Sequence, residues 1–246
     1  MNQARMAQRG IGCWAIALVL TIASVGTAAE ATFASAAGAT LGDSFIAEVQ
    51  AAWESIPVEV RGQLQRAGWR VVLAEYVVDA APELLTQTPR GWPTGMSWRQ
   101  TDAVHLPNER KLIIAEKRLT TRGEIVECSR CAGVLRHELG HGYDLAQGGR
   151  WRFASASPEF ASVYDRDVAT IPEGSRAALA YYLQAGSAGR QETFAEAFAV
   201  ALGGGSDAPQ AELFAKSFSR TLAMMHEKLK LIPPAASSGR IAGSRR

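Results

Sequence analysis

The stretch Val134-Leu135-Arg136-His137-Glu138-Leu139-Gly140-His141 decides how the rest of the chain is read. Its apolar residues recur at helical spacing, and Gly148 and Gly149 stand where a helix running from about Ala132 to Gln147 needs a left-handed cap. Residues four apart on a helix lie one turn apart on a common face. His137 and His141 can therefore bring both imidazoles to a single Zn²⁺, while Glu138 stands beside the open metal position as a general base. In a chain with four histidines, random placement gives about 0.004 matches to this pattern, so chance is a poor explanation. The competing reading, two surface histidines on an amphipathic helix, sits badly with Leu135, Leu139 and Gly140, which suit a packed helix.

Upstream, Asp43 is a good N-cap for a helix carrying Phe45, Ile46, Val49, Ala52, Trp53 and Ile56 at helical spacing until Pro57, and a second helix is expected over Pro57 to Ala67. Trp69 to Val78, rich in Val and aromatics, reads as a buried strand followed by a Pro and Gly rich stretch around Pro89 to Gly95. Asp102 to His105 and Lys111 to Glu116 flank Pro107-Asn108-Glu109 as a strand, turn, strand unit whose second arm is expected at or near the sheet edge. Downstream the spacing predicts helices over Pro158 to Tyr164, Ser175 to Ala185, Gly189 to Leu202 and Pro209 to Leu229. Strands first and helices afterwards give an α+β fold, a single domain over residues 43–232.

Composition bounds the setting. The 246 residues are 47% hydrophobic, which suits one globular domain. Arg5 and Arg9 precede an apolar run from Ile11 to Val25 and the small residues Thr27, Ala28 and Ala29, the three parts of a secretory signal peptide over residues 1–29. The run is shorter than the roughly 20 apolar residues of a membrane anchor. A secreted or periplasmic protein without stable membrane association after cleavage is the expectation. Residues 30–42 read as a flexible lead-in and 233–246 as a disordered tail. Removing residues 1–29 takes Arg5 and Arg9 from the 26 Lys and Arg, leaving them equal in number to the 24 Asp and Glu. A neutral chain without a basic face argues against nucleic acid as a partner. Cys13 leaves with the signal peptide, so Cys128 and Cys131 are expected to pair as a short disulfide.

A catalytic zinc site needs a third protein ligand. Position 147 is Gln and position 144 is Asp, so no third histidine follows the motif. Gln191-Glu192-Thr193-Phe194-Ala195-Glu196-Ala197-Phe198 instead offers two carboxylates one helical turn apart. Glu192 is assigned as the third ligand and Glu196 as the group that accepts the free N–H of a ligating histidine. Taken alone, the pair reads better as the solvated face of a helix opposite Phe194 and Phe198; the unfinished two-histidine site upstream reverses that.

The combination H-E-L-G-H-G-Y-D at 137–144 and E-T-F-A-E-A-F at 192–198 resembles the anthrax lethal factor-like zinc metallopeptidase domain, a group that includes secreted Pro-Pro endopeptidases. The resemblance implies a zincin-like fold, a small mixed sheet with an edge strand for substrate followed by a helical half that carries the zinc. It also implies that Glu192 ligates and Glu196 supports, and that the Lys111 to Glu116 strand lines the cleft and takes a peptide substrate as an added strand. The family carries a Tyr seven residues before the third ligand to stabilise the oxyanion, but position 185 here is Ala. Tyr182 is the preferred substitute and Tyr181 the alternative, with an ordinary packed aromatic open for each. His105, just before the turn, either faces the cleft or, the more common case for an isolated histidine, is structural or solvated; Asp144 is expected to partner Arg136 or Arg150 without a catalytic role. The functional expectation is a secreted zinc endopeptidase with Glu138 as base. The alternative is a secreted binding module or pseudo-enzyme with a structural zinc and no peptidase activity, motivated by Ala185.

Overall fold

Four strands form one sheet in the order β1 (Phe33–Ser35), β2 (Arg70–Ala74), β4 (Lys111–Ala115), β3 (Ala103–Leu106). β1, β2 and β4 run parallel, and β3 closes the edge antiparallel to β4. The computed structural model describes residues 33–89, 95–205 and 208–231. The predicted signal peptide, the predicted disordered tail and part of the Pro and Gly rich stretch lie outside them.

β4 lies one strand in from the β3 edge, the near-edge alternative of the sequence reading, so it is not itself open to an added strand. Leu112, Ile113, Ile114 and Ala115 are all fully buried, because β2 and β3 flank the strand and both of its faces are covered. An unbroken apolar run is what a strand covered on both sides requires. Leu112 and Ile114 face the helical half together with Val71 and Leu73. Ile113 and Ala115 face a smaller cluster with Val104, Val77, Val78 and Leu84. The edge strand on this side of the sheet is therefore β3, with β1 at the opposite edge.

The segment expected to be a flexible lead-in is partly built into the sheet. Phe33 pairs with Val71 in register, its ring meets Trp53 edge-on at 5.6 Å, and Ala36 N–H donates to the Leu73 carbonyl at 2.8 Å. One aromatic and a free edge on β2 suffice to order it. The strand expected to reach Val78 ends at Ala74, and the chain turns into the short α3 (Val77–Ala80). There Tyr76 N–H donates to the Asp79 carboxylate at 2.9 Å. A hairpin of β5 (Lys117–Leu119) and β6 (Ile125–Glu127) then leads to the next helix, and it has no counterpart in the sequence reading.

Before the sheet's second strand, α1 (Asp43–Glu54) and α2 (Val58–Arg66) bury Phe45, Val49, Trp53, Val60 and Leu64 against the helical half. That half is built on α4 (Cys131–Gln147), followed by α5 (Pro158–Val168), the short α6 (Glu173–Arg176), α7 (Ala188–Ala201), α8 (Ala208–Ser217) and α9 (Ser219–Lys228). The helix expected over Ser175 to Ala185 stops at Arg176 and continues as tight turns, with Tyr182 N–H bonded to the Leu179 carbonyl at 2.9 Å. The expected single last helix is broken at Phe218. Asp167 of α5, fully buried, accepts from Thr221 N–H at 2.8 Å and Thr221 Oγ1 at 2.8 Å, giving α9 an N-terminal cap from a distant element. No helix among the described residues is long and apolar enough to cross a membrane.

Candidate metal centre

α4 and α7 cross at unusually short range, and two small residues allow it. A Cβ placed on Gly140 would lie 2.7 Å from both the Cα and the carbonyl oxygen of Ala195. Only glycine fits, so the helix carrying His137 and His141 approaches the helix carrying Glu192 and Glu196 as closely as backbone permits. Behind Glu196, any side chain at Gly205 would collide with its carboxylate.

The crossing assembles the polar groups. Glu192 Oε2 lies 3.3 Å from His137 Nε2 and 3.3 Å from His141 Nε2. The three ligand atoms lie within 4.8 Å of one another. On the far side of the ring, His137 Nδ1 meets Glu196 Oε2 at 2.8 Å. Glu196 is fully buried, so its charge is compensated by the imidazole N–H, and the bond leaves Nε2 of His137 to face Glu192.

The donor set fits zinc. Ligands about 2.0–2.1 Å from a tetrahedral ion stand roughly 3.4 Å apart, close to the 3.3 Å spacings seen here. Two imidazoles and one carboxylate would fill three of the four positions of such an ion, the protein donor number of catalytic rather than structural zinc sites. Burial acts to raise the Glu192 pKa, but hydrogen bonds and positive charge from His137 and His141 outweigh it and hold the carboxyl below its ordinary range. A carboxylate kept ionised suits a cation.

Glu138, next to His137, has its pKa raised by burial, opposed by the nearby histidines His141 and His137. A carboxyl group lifted toward neutrality is better able to hold a proton that it has taken. His105 projects from β3 into the same cleft, stacked on Trp69 and next to His141. Burial, with like-charge repulsion from His141 prominent among the remaining causes, drives its pKa down to about 3, so it is a neutral imidazole. The sequence left a cleft-facing His105 as the lesser alternative; the strand register, which sets His105 opposite Leu112, decides for it.

The two tyrosines part company. Tyr182 is buried, its ring against Phe214 at 4.9 Å and Phe218 at 6.2 Å. Tyr181 has a half-open ring, 52% exposed, while its hydroxyl end sinks toward Glu192. Burial of that hydroxyl, then the negative charge of Glu192 and a hydrogen bond to it, hold the phenol above its ordinary pKa. Tyr181, rather than the preferred Tyr182, thus turns its hydroxyl toward Glu192: buried positions in the tight turns after α6 recur three apart, at Leu179 and Tyr182, and place Tyr182 in the core.

Asp144 is also relocated. It pairs with neither Arg136 nor Arg150 but accepts from Ser155 N–H at 2.7 Å and Ser155 Oγ at 2.6 Å, fully buried below the site. Cys128 and Cys131 are joined as a disulfide at the first turn of α4. The whole arrangement opens on a cleft of about 920 Å³, with Thr101 to His105 along one wall and Tyr181 and Gln191 along the other.

Comparison with known proteins gives a fold but no family. No protein-family model matches the chain. No curated protein matches it either. Among solved structures, the fold is similar to that of the Pro-Pro endopeptidase from Paenibacillus alvei, with a TM-score of 0.57 and 22% identity, covering 82% of this chain and all of that one. The shared architecture is the mixed α+β arrangement of a small sheet and a helical half.

Proposed function

We propose that this chain is an exported zinc-dependent endopeptidase. The observation that carries the reading is the convergence of His137, His141 and Glu192 on one point, with Glu138 on the same helix and a free sheet edge alongside. A zinc ion bound there would polarise the scissile carbonyl and acidify the attacking water.

The chain's own residues supply the rest. Glu138 accepts the proton of the attacking water and passes it to the leaving amine, a transfer its raised pKa assists. Glu196 holds His137 in the tautomer that presents Nε2. The Tyr181 hydroxyl, beside Glu192, donates to the oxyanion as the carbonyl becomes tetrahedral. A peptide substrate would pair its main chain with the open edge of β3, Ala103–Leu106, rather than with β4, and lie across the metal point. Export rests on the sequence alone, on Arg5 and Arg9, the apolar run and the small residues that follow it within residues 1–29.

Peptide-library cleavage followed by mass spectrometry, with and without a chelator, tests the reading. The expected result is cleavage at internal bonds that the chelator abolishes and zinc restores. Glu138→Gln should bind zinc normally and lose about 100-fold or more in kcat. A zinc-loaded wild-type chain that cleaves nothing in a diverse library would transfer the site to a binding or structural role, and a Glu138→Gln protein as fast as wild type would remove the base.

A further inference from the structure

The two imidazoles of the site are held by different means. His137 is fixed through its second nitrogen by Glu196 at 2.8 Å. Among the described residues no carboxylate does the same for His141. Its ring instead packs on His105, with centroids 5.5 Å apart and planes inclined by 33°. His105 in turn stacks on Trp69 at 4.7 Å and 26°.

Each ring in this series is placed by the backbone beneath it. His105 stands opposite Leu112 in the β3–β4 register, so its side chain shares the sheet face that Leu112 turns toward α4. Trp69 is 4% exposed and lies under α4 at Gly142, where a Cβ would come within 3.2 Å of its ring. Glycine one residue past His141 therefore admits the indole that supports the neighbouring ring. His105 Nε2 is buried and has no hydrogen-bond partner among the described residues. These contacts hold the imidazole by its faces, not through Nε2.

We propose that Trp69 and His105 form a stacked aromatic support that positions His141 for metal binding and ties the edge strand β3 to the metal helix. His105 is then a positioning residue, not a catalytic one, and the strand that would take substrate shares a rigid contact with a metal ligand. The inference rests on the zinc reading above. It predicts that the flat ring at position 105 matters, and that its nitrogens do not.

The test is zinc affinity of the full chain by competition with a chromophoric chelator, alongside visible absorption of the cobalt-substituted protein as a signature of ligand geometry. Aromatic pairs of this kind are worth about a tenfold change, so His105→Ala should bind zinc about tenfold more weakly and alter the cobalt spectrum. His105→Phe, which restores a ring face, should bind zinc nearly as well as wild type. Glu196→Gln, acting through the other histidine, provides a reference loss of about 10 to 100-fold. Should the alanine variant fail to fold, His105→Leu, bulky and apolar but without a ring face, gives the same comparison. Wild-type affinity in the alanine or leucine variant, or a phenylalanine variant as weak as either, would overturn the proposal. A wild-type chain that binds no zinc would instead overturn the peptidase reading, and this inference with it.

Discussion

Replacing Gly140 by alanine probes the contact on which the whole site depends. The new Cβ would stand 2.7 Å from Ala195 Cα and from the Ala195 carbonyl oxygen, where ordinary contact begins at 3.4 Å. Neither neighbour is the end of a flexible side chain, so α4 and α7 must part by about 0.7 Å, and overpacking of this sort costs roughly 1–3 kcal/mol. Alanine in a helix interior recovers about 1 kcal/mol over glycine, which leaves a net destabilisation of up to roughly 2 kcal/mol. The site should suffer more than the fold. Metal–ligand distances tolerate only about ±0.2 Å, and the parting moves Glu192 away from both imidazole nitrogens, so zinc affinity should fall at least about tenfold. Urea unfolding and chelator competition measure the two quantities separately. Gly174→Ala is the control: it sits in the short α6, a Cβ there meets nothing within 4 Å, and it should leave both unchanged or slightly raise stability. A Gly140→Ala protein with wild-type zinc affinity and an unfolding curve like the control's would show that the helices have slack, and the argument from close approach would be wrong.

Two further perturbations separate roles that lie side by side. Tyr181→Phe should lower kcat about 100-fold with little change in KM, since an oxyanion donor acts mainly in the transition state, whereas Tyr182→Phe should leave kcat nearly unchanged; steady-state kinetics on any cleaved peptide decides, and the opposite ranking would return the role to Tyr182. For Asp144, burial raises the carboxyl pKa from 3.8 to about 6, against hydrogen bonds from Ser155 that lower it. A folded-state pKa above the unfolded one favours the protonated folded form, so this contribution to stability is complete below about pH 4 and is lost as pH rises through 6, roughly 3 kcal/mol in all. Asp144→Asn keeps both contacts to Ser155 and removes the titration. The difference between wild-type and variant unfolding free energies should change across pH 4 to 7.5, and parallel curves would show that the carboxyl does not titrate there.

Local periodicity carried the helices that matter most. The apolar spacing around His137 gives α4 within a residue at its start, and Gly149 takes the left-handed conformation, φ 50°, at its end. α7 lies over Ala188–Ala201 where the spacing placed it. The i,i+4 relation also put Glu192 and Glu196 on a common face. The sheet was less legible, although part of its signal was present. Lys111-Leu112-Ile113-Ile114-Ala115 is a continuous apolar run, which belongs to a strand covered on both faces, while Ala103-Val104-His105-Leu106 lacks such a run. Its place beside a turn leaves edge and near-edge both open for the first; its composition favours near-edge, which is where it lies.

Other features depend on partners far away in sequence and leave no local trace. The break at Phe218 is stabilised by Asp167, and nothing in the helical spacing of residues 209–229 announces a cap supplied from α5. The choice between Tyr181 and Tyr182 turns on one residue of phase in a segment that is not a regular helix, where a shift of a single position exchanges core for cleft.

The two glycines of H-E-L-G-H-G show how tertiary information can lie in plain view and still go unread. Glycine inside a helix costs about 1 kcal/mol relative to alanine, so two of them beside a metal motif require an explanation outside the helix. Gly140 supplies it for α7 and Gly142 for Trp69. The contacts then fix the sense of the crossing: His141 meets Glu192, Gly140 meets Ala195, and His137 meets Glu196. Rising numbers on α4 pair with falling numbers on α7, so the helices pass in opposed directions. In that sense alone can Glu192 reach both Nε2 atoms while Glu196, one turn on, reaches the back of His137. Helical spacing says which residues share a face; the glycines say which faces meet.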